Sequence, residues 1–236
     1  MSATSPLSKR LEAIASKHAS LTNTSVDLAA ATSAAVAAAP TTRRAVWGSV
    51  TKMLTAAAVL QHVARGDVGL DSCVAELVDP QLAALKLPPM RALFGPEAQA
   101  ITLSELLSMR SGVPDYDTAV PYPRPPTDAF RAEVYAHPAR EYPPAALLNQ
   151  TWVRTGALDF QPGSKQRYSS TNYVLAGLAL AQLSGAASWD EYEQASVLDA
   201  LPPAARAAYR SLAFAPHGTP ALAGAFAGYD RTSYNG

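Results

Sequence analysis

Ser49 and Lys52 stand three residues apart in the stretch Trp47-Gly48-Ser49-Val50-Thr51-Lys52. On a helix, residues at that spacing share a face. The run from Val50 to Ala64 lacks Pro and Gly, is rich in Ala and Leu, and is closed by Gly66, which predicts a helix opening at Ser49. Lys52 is the only formal charge between Ser49 and Ala64. The other positions are apolar or small on nearly every face, a pattern that predicts a buried helix. A cation in the first turn opposes the helix dipole by about a few tenths of a kcal/mol or more. Buried without a partner, it would cost several kcal/mol or have its pKa depressed. A hydroxyl beside an amine pushed toward neutrality is an activated nucleophile. The plain structural alternatives are a serine N-cap and a lysine that carries its amine to solvent.

Several elements must position such a pair. Leu7, Leu11, Ile14, His18 and Leu21 recur at spacings of three and four and predict an amphipathic first helix. Residues 25–46 are rich in Ala and Thr, with weak strand character around Val26 and Val36. Cys73 to Leu87 predicts a short helix interrupted at Pro80. Thr102 and Glu105 form a capping-box pattern ahead of Leu106 and Leu107, and Ser111-Gly112 ends that element. Eight prolines between Val113 and Ala145 forbid a continuous helix or a central strand. The aromatics Tyr116, Tyr122, Phe130, Tyr135 and Tyr142 interleave with them, so the segment either walls a cleft or packs as a surface excursion. Further helices are predicted over Leu147–Leu158, from Ser170 or Thr171 to Leu183, and over Trp189–Leu201. The tail from Pro216 is rich in Gly and Ala and has no period.

Three of these segments, in this order, resemble the serine β-lactamase and penicillin-binding-protein superfamily, in the branch of class C β-lactamases, D-alanyl-D-alanine carboxypeptidases and related esterases. They are Trp47 to Lys52 with its helix, Ile101 to Ser108 with Ser111-Gly112-Val113-Pro114-Asp115-Tyr116, and Phe160 with Pro162-Gly163, Tyr168-Ser169-Ser170 and the following helix. The resemblance spans roughly residues 45 to 190. It implies that Ser49 is the acylated nucleophile, that Lys52 eases its deprotonation, and that Tyr168 is the general base toward Ser49 and later the acid toward the leaving group. The Ser49 N–H would serve an oxyanion hole. The implied substrate is a small ester, amide or β-lactam, with no metal or cofactor. A core aromatic is the structural alternative for Tyr168.

The chain departs from that family in two places. The tyrosine motif normally has Asn at its third position, where this chain has Ser170, so weaker recognition of a substrate amide is expected; Asn172 lies two residues on and would point elsewhere. The family's third motif, Lys or His followed two positions later by Gly on a strand, is not found; His217-Gly218-Thr219 has similar residue types at the wrong spacing. The expected fold is therefore α+β and β-lactamase/transpeptidase-like, with the helical domain largely present and the antiparallel sheet incomplete or truncated. Residues 1–46 read as an N-terminal helix and weakly structured lead-in, 47–215 as the helical region, and 216–236 as an irregular tail truncated before the third motif. The function expected is a serine hydrolase working through an acyl-enzyme, or alternatively a catalytically impaired or non-catalytic binding or scaffold homologue. An apolar helix without its sheet would favour self-association.

Composition narrows the partners. Lys+Arg and Asp+Glu are equal at 19 each, and no basic stripe appears, which argues against nucleic acid. One cysteine, Cys73, excludes an intrachain disulfide and a cysteine metal cluster, and the four histidines show no ligand spacing. No stretch is long and apolar enough to span a membrane, and no signal-peptide core is evident, so a cytoplasmic location is the default expectation.

Overall fold

The computed structural model describes residues 6–22, 29–31, 36–38, 47–117, 129–137, 140–209 and 212–214. The chain divides into two units, one holding the first helix and a strand pair, the other running on from Trp47. In the first unit α1 spans Pro6–Thr22, with Pro at its first turn, where a missing N–H costs nothing. Leu7, Leu11 and Ala15 turn inward, whereas Ile14 and Leu21 of the expected apolar face are exposed. β1 (Ala29–Ala31) and β2 (Val36–Ala38) pair antiparallel, with Ala30 opposite Ala37. These are the only strands among the described residues, so the described part is helix-rich. The expected tail, 216–236, lies outside those residues, as does the His217-Gly218-Thr219 stretch.

The second unit is built around one central helix. α8 (Thr171–Leu183) is apolar all round and buries Leu175, Ala176, Leu178, Ala179, Leu180 and Ala181, as a helix enclosed by others must. Around it stand α2 (Thr51–Arg65), α3 (Val74–Ala84), α5 (Leu103–Leu107) and α7 (Pro144–Leu148), with α4 (Met90–Phe94) packed on α3. Val59, Val78, Leu82, Phe94, Leu106 and Leu148 are fully buried in the shared core. Each such side chain contributes about 1.5–3 kcal/mol of transfer free energy. Gln81, one of the buried polar residues, is satisfied: its amide donates to Gln182 Oε1 at 3.2 Å and to the Ala186 carbonyl at 3.1 Å. Two further helices, α6 (Ala129–Ala136) and α9 (Pro203–Ala208), complete the described elements. α6 occupies a proline-free interval of the Pro-rich stretch.

Several expected boundaries are corrected. α3 runs through Pro80 without a break, because the residue is exposed and the ring costs one hydrogen bond on the solvent side. The helix expected over Leu147–Leu158 stops at Leu148, and Asn149 to Val153 form turns closed by Val153 N–H on the Gln150 carbonyl at 2.9 Å. Trp189–Leu201 is two 3-10 turns, Trp189–Glu191 and Gln194–Leu198, separated by extended backbone at Tyr192 and Glu193. α2 is not buried as a whole. Only Ala58, Val59 and His62 are buried, while Val50, Met53 and Leu60 are exposed, Met53 by 64%. Among the described residues no element covers that side of α2, so an apolar face does not by itself ensure burial.

Candidate active site

The segment carrying Ser49 is a single 3-10 turn, Gly48–Val50, leading directly into α2. Gly48 has φ 51°, a left-handed conformation that a β-carbon makes costly. No side chain caps either the turn or α2, so Ser49 is not an N-cap. Its hydroxyl goes elsewhere. Ser49 Oγ lies 2.8 Å from the Tyr168 hydroxyl, and Lys52 Nζ donates to Ser49 Oγ at 3.0 Å. Lys52 Nζ also stands 5.0 Å from the Tyr168 ring centroid and 6.0 Å from that of Tyr173. The three sequence candidates thus meet in one cluster, although Ser49 and Tyr168 are 119 residues apart.

Tyr168 is held by what precedes and follows it. Arg167 N–H donates to the Met109 carbonyl at 3.0 Å, and the Arg167 guanidinium pairs with Asp159. Met109 itself sits at φ 62°, an uncommon conformation for a long side chain, at the turn that ends α5. α5 starts with the expected capping box: Glu105 N–H donates to Thr102 Oγ1 at 3.2 Å and Thr102 N–H to Glu105 Oε2 at 2.9 Å. After α5 the chain folds over the start of α8. Gly112 is required there, since a β-carbon would stand 2.1 Å from the Phe160 carbonyl oxygen. Buried Asp115 then accepts the Ser170 N–H at 2.8 Å, and Tyr116 N–H donates to Thr171 Oγ1 at 2.9 Å. Asp115 is a positioning residue that sequence reasoning quoted but gave no role. The signal, a carboxylate closing a Ser-Gly-Val-Pro-Asp turn, becomes readable only once the partner N–H, 55 residues on, is known.

Ser170 and Asn172 take different places. Ser170 is buried, and its backbone is fixed by Asp115, which accepts its N–H. It does not cap α8 through its side chain. Asn172 points into the core, where it accepts from the Ser111 hydroxyl and donates to the Ser169 carbonyl at 3.1 Å. It contributes to the fold of the turn and not to the cluster.

The electrostatics follow from these contacts. Burial pushes the Tyr168 phenol up, but hydrogen bonds with Lys52, Ser49 and Ser170 and the charge of Lys52 together outweigh it, leaving the phenol below its ordinary value of 10.0. Neighbouring Tyr116 goes the other way: burial, helped by the charges of Asp117, Asp115 and Tyr168, pushes it up to about 12. Two tyrosines against one wall therefore differ in kind, one poised to lose its proton and one held neutral. Tyr168 is 51% exposed and Ser49 is exposed, so the cluster is open to a substrate. A hydroxyl between a phenol of lowered pKa and an amine can be deprotonated and can attack a carbonyl. Among the described residues no group of His, Cys, Asp and Glu could hold a metal ion.

The model of the beta-lactamase family matches residues 21–218, most of the chain. The chain belongs to the beta-lactamase family. SurE, a solved structure, aligns with a TM-score of 0.50 and 23% identity over 81% of this chain and 37% of that one, a likeness of fold. A D-stereospecific amidohydrolase from Streptomyces sp. aligns at 24% identity with a TM-score of 0.48, over 69% of this chain and 43% of its own. A penicillin-binding protein from Bacillus halodurans aligns at 22% identity with a TM-score of 0.43, over 65% and 42%. This beta-lactamase-family chain thus spans less than half the length of each of these structures. No described helix is long and apolar enough to cross a membrane.

Proposed function

We propose that this chain is a serine hydrolase that moves an acyl group through an ester on Ser49. The observation that carries this reading is the approach of Tyr168 and Lys52 to one hydroxyl, at 2.8 and 3.0 Å. Tyr168, its phenol below the ordinary value, takes the Ser49 proton as the oxygen attacks the substrate carbonyl. Lys52 holds the phenolate and the attacking oxygen by hydrogen bonding and charge. The Ser49 N–H donates to the tetrahedral oxyanion. Tyr168 returns the proton to the leaving alcohol or amine, then accepts one from the water that hydrolyses the acyl-enzyme. The substrate class is a small ester, amide or β-lactam; Ser170 contributes one hydroxyl where an amide side chain would have contributed both a donor and an acceptor.

The test is labelling of purified protein with a fluorophosphonate. Wild type is expected to label and Ser49→Ala is not; equal labelling of both, or of neither, defeats the reading. A non-catalytic binding or scaffold role is the competing reading. It is supported by the open cluster, with Ser49 exposed and Tyr168 half exposed, because an oxyanion left in water loses most of the benefit of its donors. Hydrolysis abolished by Tyr168→Phe would set that second reading aside.

A further inference from the structure

A cavity of about 240 Å³ lies between α2 and α8, and the nucleophile cluster does not use it. Its walls are Leu54, Leu147, Val174, Leu178, Trp189 and Phe214. Side chains on a helix turn by about 100° per residue. Thr51, Leu54, Thr55 and Ala58, which line the cavity, therefore form a stripe on the side of α2 turned away from Ser49. The exposed residues Val50, Met53 and Leu60 lie toward the Ser49 side of the helix, away from the cavity. The cavity therefore opens on the side of α2 away from Ser49, and it comes nearest the cluster at Thr51, next to Lys52 in the chain, and at Tyr173, which lines it and whose ring stands 6.0 Å from Lys52 Nζ.

Two features mark it as more than a packing gap. Gly177 sits mid-way along α8 at its wall, where glycine is less favourable than alanine. No close approach demands it, because a β-carbon there would meet nothing within 4 Å. The missing side chain leaves volume in the cavity. The second feature is polar. Thr51, which is exposed, and Thr55, which is half-buried, line it and bring two hydroxyls to an otherwise largely apolar wall. Apolar walls with a few placed polar groups are the usual make-up of a small-molecule site. An apolar cavity of about 150 Å³ is already enough for benzene.

We propose that this cavity binds a small aromatic molecule carrying one hydrogen-bonding group, at a site separate from Ser49. The rings of Tyr173, Trp189 and Phe214 pack against the ligand ring edge-on or offset. The Thr51 and Thr55 hydroxyls receive its polar atom. The site stands whether or not Ser49 is a nucleophile.

Calorimetric titration of the full chain with phenol and with benzene tests it. Wild type is expected to bind both saturably, and Gly177→Leu to weaken both by about tenfold or more by filling the space. Thr55→Val is expected to weaken phenol several-fold while sparing benzene, and Ser49→Ala to bind both as wild type does. Gly177→Ala keeps the test valid should Gly177→Leu not fold: a smaller loss in the same direction is expected, with a raised Tm. Wild type that binds neither probe overturns the proposal, as do Gly177 variants that bind undiminished. Loss of phenol binding in Ser49→Ala would place the ligand in the nucleophile cluster and overturn it too.

Discussion

The two shoulders of the candidate site are built to opposite standards. On one side Tyr168 leads into the most deeply buried helix of the chain. Its neighbours are fixed by Asp115 on the Ser170 N–H, by Thr171 under Tyr116, and by Asn172 between Ser111 and Ser169. On the other side Ser49 opens α2, a helix with no side-chain cap and an exposed apolar stripe. A core helix flanked by satisfied polar contacts holds a side chain to a narrow geometry; a half-covered helix start holds it less well. The hydroxyl pair at 2.8 Å therefore joins a firmly held Tyr168 to a more loosely supported Ser49. Chemistry should depend most on the contacts between the shoulders, and stability on the contacts within the Tyr168 shoulder.

The largest effect expected is on the junction itself. Tyr168→Phe removes the proton acceptor and should lower kcat/KM for a small ester by about 10²–10⁴, while far-UV circular dichroism stays as in wild type because the hydroxyl is exposed to solvent on one side. A rate that survives the substitution would detach the two shoulders and leave Tyr168 a packing residue.

Next comes the Tyr168 shoulder alone. Asp115→Ala leaves the Ser170 N–H buried without an acceptor and should lower the free energy of unfolding by about 1–3 kcal/mol, read by urea denaturation. Asp115→Asn retains an acceptor and should recover most of the loss. Unchanged stability in Asp115→Ala would mean that the shoulder owes its rigidity to apolar packing and not to this contact.

Those contacts also explain what could be read from the sequence. Ser49 and Lys52 can be singled out because their signal is local, a spacing of three on one helix, whereas Tyr168 is singled out only by the resemblance of its segment to the family's tyrosine motif; the structure brings the three together. The capping box at Thr102 and the stops at Gly66 and Gly185 were legible because their signals too are local. Asp115 was not, because its role exists only across 55 residues. Leu147–Leu158 and Trp189–Leu201 were misjudged because apolar content outweighed turn residues that tertiary contacts favour, such as the Trp152 indole N–H on the Tyr116 carbonyl. The exposed stripe of α2 was missed because periodicity states which face is apolar and not what lies against it. Ser170 reads from the sequence as a substrate contact and as a possible helix cap; in the structure its backbone is tied to Asp115 and its side chain does not cap α8.

The pH dependence sharpens the comparison further. With the Tyr168 phenol below 10.0, the ascending limb of a kcat/KM profile, which follows deprotonation of the base, should rise at lower pH than for a free phenol. Lys52→Met removes a hydrogen bond and a charge that lower the phenol, so the limb should move up in pH. The sign for stability follows. Between the folded value and 10.0 the unfolded state keeps a proton that the folded state has shed, so stability rises with pH across that window and is lost as pH falls back through the folded value. Lys52→Met should flatten this rise. A limb that stays in place would show that Lys52 serves Ser49 and not Tyr168.

The smallest effect on stability belongs to the stripe beside the Ser49 shoulder. Met53 is exposed by 64%, so Met53→Ser removes little buried area and should change the free energy of unfolding by no more than about 0.5 kcal/mol. Its effect on association should be larger, because Val50, Met53 and Leu60 form one contiguous apolar strip with Met53 at its most exposed point. Sedimentation velocity across a concentration series is expected to show self-association in wild type and a shift toward monomer in Met53→Ser. A substantial loss of stability instead would mean that Met53 is covered in solution, and that the Ser49 shoulder is as well supported as its counterpart.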